Sequence, residues 1–375
     1  MKILLVGNYP NDRYESMDRF AALMRDGLQQ AGHEVDVLRP PRLMGKLVSG
    51  SQRGFGKWLG YIDKFLLCPA LVRDRARRAD LVHICDHSNS MYSNWAGETP
   101  CVVTCHDMLA VRGALGEETD CPASRAGRYL QRWIVRGLRT ATVVVSVSSA
   151  TASDVERIVG GSKPLRRVIL NALNYPYRRL QRQEALARLA HATQLDAARP
   201  FVLHVGTNLR RKNRQGVVRA FARASRDADL QLVLAGQPPT PELQELLRSE
   251  GVGDRTKVVV KPSNEVLEAL YNTALAFFFP SRYEGFGWPL IEAQACGCPV
   301  ICSRCAPFAE VVGASALVRD VNDECGFAED ILRLSRDAAH RDAWSAASLR
   351  NAARFAPAPM ILQYLDVYRE LAGRR

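Results

Sequence analysis

The chain repeats one rhythm twice, and that repetition limits the folds open to it. Up to about residue 170, short apolar runs alternate with amphipathic stretches. Strands are expected at 2–6, 34–38, 81–85, 101–105, 142–147 and 167–170, and helices at 16–31, 57–77, 123–139 and 150–159. Apolar runs in this alternation read as parallel strands covered by helices on both faces. Positions 171–200 break the rhythm with Asn174-Tyr175-Pro176-Tyr177 and a charged helical run at 178–194. It then restarts, with strands expected at 201–205, 231–235, 257–260, 275–279 and 300–302. Helices are expected at 214–224, 241–250, 265–273 and 289–296, then a helical tail at 322–335, 339–354 and 358–370. The expectation is two Rossmann-like α/β domains, 1–172 and 201–357, joined by a linker at 173–200. The C-terminal helix at 358–372 is able to pack back on the first domain. Open α/β sheets bind ligands beyond the carboxyl ends of their strands, so two such sheets facing each other imply an interdomain cleft.

Length and charge narrow the function classes. A chain of 375 residues is comfortable for two domains, and 47% hydrophobic with 24% charged residues suits a soluble globular protein. It has no apolar run long enough to span a bilayer. The apolar start, Met1 to Gly7, lacks a small-residue cleavage site and reads as a first strand, which places the protein in the cytoplasm. In that compartment the ten cysteines are expected to be reduced. Cys296, Cys298, Cys302 and Cys305 lack the loop that separates two ligand pairs, so they read as buried thiols and no metal site is expected.

The net charge of +12 is uneven. Between positions 39 and 78 ten basic residues (Arg39, Arg42, Lys46, Arg53, Lys57, Lys64, Arg73, Arg75, Arg77, Arg78) face only Asp63 and Asp74, an excess of 10 − 2 = +8. Phe55, Trp58, Leu59, Tyr61, Ile62, Phe65 and Leu66 are interleaved with them. Two readings stay open: an anionic membrane surface at the inner face, or an amphipathic helix that packs its aromatics inward. No recognised nucleic-acid motif accompanies the charge, so nucleic acid is not an expected partner.

The densest chemistry lies at Ser281-Arg282-Tyr283-Glu284-Gly285-Phe286-Gly287-Trp288-Pro289-Leu290-Ile291-Glu292. An apolar strand precedes it, and a helix with proline in its first turn follows. Glu284 therefore falls in a strand-to-helix loop and Glu292 in the helix. Exposed N–H groups at a helix start suit an anion such as a diphosphate, and flanking carboxylates suit hydroxyl groups. The local expectation is a pocket for a nucleotide sugar. A second loop, Gly206-Thr207-Asn208-Leu209-Arg210-Arg211-Lys212-Asn213, puts three consecutive cations after a strand, able to clamp a diphosphate leaving group. His106-Asp107 ends a strand of the first half. Asp227-Ala228-Asp229 lies at the wrong end of its strand for a ligand and reads as a solvated turn.

The Glu-x7-Glu stretch, with Ala295-Cys296-Gly297-Cys298-Pro299-Val300-Ile301 and Pro307-Phe308-Ala309-Glu310-Val311-Val312-Gly313 after it, resembles the donor site of retaining GT-B glycosyltransferases of family 4 (group 1). The resemblance runs over nearly the whole chain and is more specific in the second half. It implies a GT-B fold, an acceptor-binding first domain and a donor-binding second domain. It assigns Glu284 to sugar hydroxyls and charge at the anomeric carbon, Glu292 to the ribose, Lys212 to the donor phosphates and His106 to the sugar. Backbone N–H groups of Phe286 and Gly287 would approach the sugar and those of Leu290 and Ile291 the phosphates, with Gly285 also donor-binding. The family's arginine after the loop glycine is Thr207 here, which leaves Arg210 or Arg211 to compensate. The first loop, Gly7-Asn8-Tyr9, lacks the family's glycine pair and is the expected acceptor loop. The implied reaction is metal-independent and cofactor-free: transfer from a nucleotide diphosphate sugar to a glycan or lipid-linked acceptor, in surface polysaccharide synthesis. A nucleotide-sugar epimerase and a non-catalytic sugar-binding protein are the alternatives.

Overall fold

The computed structural model describes residues 1–12, 15–42, 60, 62–193, 195–196 and 199–373. They form two compact units: Met1–Asn174 with Pro357–Arg375, and Tyr175–Ala356. The first is built on β1 (Lys2–Val6), β2 (Glu34–Leu38), β3 (Leu81–Ile84), β4 (Cys101–Cys105), β5 (Val143–Ser146) and β6 (Leu165–Val168). The second is built on β7 (Phe201–Gly206), β8 (Gln231–Gly236), β9 (Thr256–Val260), β10 (Ala276–Phe279), β11 (Val300–Ser303) and β12 (Leu317–Arg319). Every pairing in both sheets is parallel. The orders are β2-β1-β3-β4-β5-β6 and β12-β11-β10-β7-β8-β9.

Each order reverses once. In the first sheet the chain moves outward from β1 to β2, then returns to build β3 to β6 on the other side. In the second it goes from β7 to β9, then returns through β10 to β12. The reversals put crevices at the carboxyl ends of β1/β3 and of β7/β10, where ligands of doubly wound sheets bind. The central strands are buried on both faces, as Ile3 to Val6 and Phe277 to Phe279 illustrate at 0% exposure. Each such phenylalanine contributes about 1.5–3 kcal/mol relative to an exposed one.

The final helix, Pro357–Ala372, belongs to the first unit. It buries Met360, Ile361, Tyr364, Leu365, Tyr368 and Leu371. Tyr368 Oη lies 2.6 Å from His83 Nδ1, His83 Nε2 2.8 Å from Thr104 Oγ1, and Thr104 Oγ1 2.9 Å from Tyr364 Oη. This closed chain of bonds ties the helix to β3 and β4. His83 is fully buried, and burial pushes its pKa down to about 3, so it serves as a neutral link.

Several elements differ from the sequence expectation. The stretch 173–200, expected to be a linker, is packed into the second unit from Tyr175 onward. The helix Arg182–Ala192 buries Ala185 and Leu189, and Arg188 Nη1 reaches the buried Glu268 at 2.8 Å. The Arg178 and Leu180 N–H groups donate to Glu268 Oε1 and Asn272 Oδ1. Strand β6 begins two residues before the expected position 167, and β12, only Leu317–Arg319, was not anticipated. Neither were the 3-10 stretch His87–Trp95 and the short helices Leu109–Ala114 and Phe308–Val312. The start of the helix expected at 57–77 lies outside the described residues; its visible part is a π-turn, Asp63–Leu67, running into the helix Cys68–Ala76. No described helix is long and apolar enough to cross a membrane.

Candidate active site

At the β7/β10 crevice two loops meet. The loop after β7 ends in a 3-10 turn, Arg210–Lys212, and Asn213 then takes a left-handed conformation (φ 52°) to start the helix Arg214–Ala224. Asparagine tolerates that region better than most side chains. The loop after β10 ends at Gly287 (φ 107°), which caps the helix Trp288–Ala295. A Cβ on Gly287 would fall 2.9 Å from the Phe308 ring, so both backbone angle and space demand glycine there. The Arg282 N–H donates to the Arg211 carbonyl at 2.7 Å and fastens the loops together.

Glu284 joins them chemically. Lys212 Nζ donates to its Oε1 at 2.5 Å, and Arg211 Nη1 to its Oε2 at 2.8 Å. The three side chains are only 9%, 12% and 19% exposed for Glu284, Lys212 and Arg211. Burial by itself would raise the Glu284 carboxyl, but the two cations hold it below its ordinary value. Burial pulls the Lys212 ammonium down, with Glu284 opposing. Lys212 also lies 4.8 Å from the centre of the Phe279 ring, which shields one side of the ammonium. Two cations on one carboxylate leave the cluster with an excess positive charge beside a helix start, a suitable seat for an anion. Arg210, the other compensating candidate, is exposed.

The first turn of the helix Trp288–Ala295 is closed by its own ladder. Leu290 N–H donates to the Gly287 carbonyl at 3.0 Å. Ile291 is the fourth residue of the helix, where the helical ladder supplies an acceptor. Pro289 has no N–H. Phe286 is buried and packs edge-on against Trp288 and Phe355, which anchors the loop. Glu292 is buried, and Tyr271 Oη donates to its Oε2 at 3.2 Å.

At the β1/β3 crevice of the first unit, Asn8 is buried, donating to Asp86 Oδ2 at 2.6 Å and accepting from Asn89 Nδ2 at 2.8 Å. Asp86 also accepts from Ser88 N–H and Oγ. Burial opposes its charge, but His87, His106 and these donors keep its carboxyl below the ordinary value. Asp86 and Asn89 had no motif to mark them; a polar run directly after an apolar strand was the available signal. Gly7 packs under the Arg39 side chain. Tyr9, expected to face the acceptor, is turned inward: it is 4% exposed and donates to Asp63 Oδ2 at 2.9 Å. Burial and Asp63 push its pKa up to about 12. Next along the edge, His106 is buried, donates from Nε2 to the Cys85 carbonyl at 2.9 Å and meets the Phe20 ring edge-on at 4.9 Å. Burial lowers its pKa, so it is a neutral imidazole with its proton on Nε2. Asp107 accepts from the Leu109 N–H and turns the chain into the next helix.

The basic stretch is less bare than its count implies. Arg39 pairs with Asp18, Lys64 with Asp12 and Arg75 with Asp36, all acids outside the stretch, while Arg78 pairs with Asp74. Phe65 packs on Trp133 with ring centres 5.1 Å apart, and Leu66 is 73% exposed. Lys46, Arg53, Phe55, Lys57, Trp58, Leu59 and Tyr61 lie outside the described residues.

Two family descriptions match the chain: "Glycosyltransferase Family 4" over residues 17–175 and "Glycosyl transferases group 1" over residues 188–350. The alpha-maltose-1-phosphate synthase of Mycolicibacterium smegmatis is 31% identical over 318 residues, 76% of this chain and 79% of that protein. The O-antigen chain mannosyltransferase B of Escherichia coli is 28% identical over 248 residues, 65% of either chain. Among solved structures, Anabaena HepE in complex with UDP and glucose superposes with a TM-score of 0.73 at 18% identity, over 99% of this chain and 100% of that one.

Proposed function

The chain belongs to the group 1 (family 4) glycosyltransferases, with the GT-B fold, and from that premise we propose that it moves a sugar from a nucleoside diphosphate sugar to a hydroxyl acceptor with retention at the anomeric carbon. The observation that carries this reading is the Lys212–Glu284–Arg211 cluster beside the Gly287-capped helix. As the bond from the anomeric carbon to the diphosphate oxygen lengthens, negative charge grows on the leaving group. Lys212 and Arg211 are placed to stabilise it, and they do so more in the transition state than before it. Glu284 holds sugar hydroxyls and faces the positive charge growing at the anomeric carbon. The acceptor oxygen attacks on the face the diphosphate leaves, and its proton passes to the departing phosphate oxygen. Glu292, set against Tyr271, takes the ribose hydroxyls, and His106 is retained as a sugar-contacting group.

HepE is described with UDP and glucose, which supports a nucleotide-sugar donor here. The E. coli relative is named for O-antigen chains, which supports a glycan or lipid-linked acceptor in surface polysaccharide synthesis. We place the reaction in the cytoplasm, with neither metal nor cofactor. The test is a panel of nucleotide sugars with and without acceptor. Nucleotide release that requires acceptor, persists in chelator and yields a product with the donor's anomeric configuration is expected. Turnover of the nucleotide sugar without acceptor would mean epimerisation, and loss of activity in chelator restored by a divalent ion would end the metal-free account.

A further inference from the structure

Among the described residues, Arg214 is a charge without a counter-charge. It opens the helix that follows Asn213 and is only 5% exposed. Its Nη1 donates to the Gln237 carbonyl at 3.0 Å and to Asn208 Oδ1, both neutral acceptors, and its Nε and Nη2 have no partner among the described residues. Burial pulls its pKa below the ordinary value. Other arginines set into this protein are treated differently. Arg319 has Asp330, Arg188 has Glu268 and Glu184, and Arg112 has Glu117 and Asp154. Buried cations are expected to be paired, because an isolated charge is costly away from water.

The neighbourhood offers no relief. His204 is buried beside it, donates from Nδ1 to the Phe278 carbonyl at 3.0 Å, and has an unpartnered Nε2. Burial, together with the fields of Arg214 and Lys212, keeps this imidazole neutral. The Thr207 hydroxyl is likewise buried without a partner among the described residues. Donors on Thr207 and Arg214 are thus left over on the loop that carries Lys212 and at the start of the helix after it. Asn208, which is exposed, covers the guanidinium.

We infer that Arg214 is an anion-holding residue of this site, its guanidinium taking a phosphate oxygen of the bound diphosphate once Asn208 swings aside. This rests on the nucleoside diphosphate sugar reading and adds to it a third cation, Arg214, beside Lys212 and Arg211. A guanidinium matches phosphate in a two-pronged way that an ammonium does not.

The test is calorimetry on the full chain with UDP, GDP and inorganic pyrophosphate, using the native protein, Arg214→Met and Asn208→Ala. Arg214→Met is expected to weaken pyrophosphate and the preferred nucleotide by about tenfold to a hundredfold. Its melting temperature without ligand should hold or rise, because a buried unpaired charge has been replaced by an apolar side chain of similar length. Asn208→Ala is expected to keep or tighten pyrophosphate binding. If Arg214 only ties Asn208 to the Gln237 carbonyl after β8, Asn208→Ala will weaken binding as Arg214→Met does, and the inference fails. It fails equally if Arg214→Met binds pyrophosphate like the native protein. Should Arg214→Met not fold, Arg214→Gln takes its place, and unchanged affinity in that variant overturns the inference. Native protein that binds pyrophosphate in an Arg214-dependent way but neither nucleotide would sustain the anion role and sink the donor reading. Native protein that binds none of the three sinks both.

Discussion

Replacing Glu284 with glutamine tests whether the central cluster is organised as described. The native carboxylate stands 2.5 Å from Lys212 Nζ and 2.8 Å from Arg211 Nη1, with all three side chains largely buried. At an effective dielectric of about 20, the Lys212 pair alone attracts by about 6–7 kcal/mol, but most of that offsets desolvation. What remains after substitution is two cations without their counter-charge. Removing one partner of a buried pair costs about 3–5 kcal/mol. Arg211 keeps a bond to the Tyr283 carbonyl at 3.2 Å and some solvent access, so about 3 kcal/mol is the expected loss. Urea unfolding of native and Glu284→Gln protein measures it, read from the midpoint at unchanged slope. The pH dependence supplies a sign. The folded pKa of Glu284 is depressed, so its contribution is complete above the unfolded value of about 4.3 and fades as pH falls through the lower folded value. The native and variant stabilities should therefore converge in acid. Ligand binding moves the opposite way: removing a negative charge beside Lys212 and Arg211 should preserve or tighten nucleoside diphosphate affinity while turnover collapses. A variant as stable as the native protein at pH 7, or one that loses nucleotide affinity while keeping turnover, would refute this account of Glu284.

Three further outcomes are expected. Lys212→Ala should lower turnover by about a hundredfold or more with a smaller change in KM, checked by steady-state kinetics; a change confined to KM would limit Lys212 to binding. Glu292→Ala should weaken the nucleotide by about 1.5–3 kcal/mol in calorimetry, and Tyr271→Phe by less, because Tyr271 acts through its bond to the carboxylate. An unchanged Kd for Glu292→Ala would put that residue outside the site. Vesicles containing anionic lipid should co-sediment the native protein at low salt more than at physiological salt, and more than a form with Arg73, Arg75, Arg77 and Arg78 changed to Gln. Equal sedimentation would leave the basic stretch as a solvated helix face.

The sequence by itself determined the local elements and the chemistry of two loops. Apolar runs such as Phe277-Phe278-Phe279 and turn signals such as Gly287-Trp288-Pro289 act over a few residues, so strands, helices and the placing of Glu284 after a strand could be read directly. Tertiary structure decided which residues meet. Lys212 and Glu284 lie 72 positions apart, and they touch because the second sheet reverses between β7 and β10. Asn8 meets Asp86 across 78 positions by the same kind of reversal between β1 and β3. No local pattern encodes strand order, so neither pair was legible, nor was the burial of Tyr9 against Asp63 or of Arg214 among neutral acceptors. The stretch 173–200 reads as a linker because it breaks the strand–helix rhythm with a charged run. It is packed because Glu268 on another helix receives Arg188, and that partnership exists only once the chain has folded.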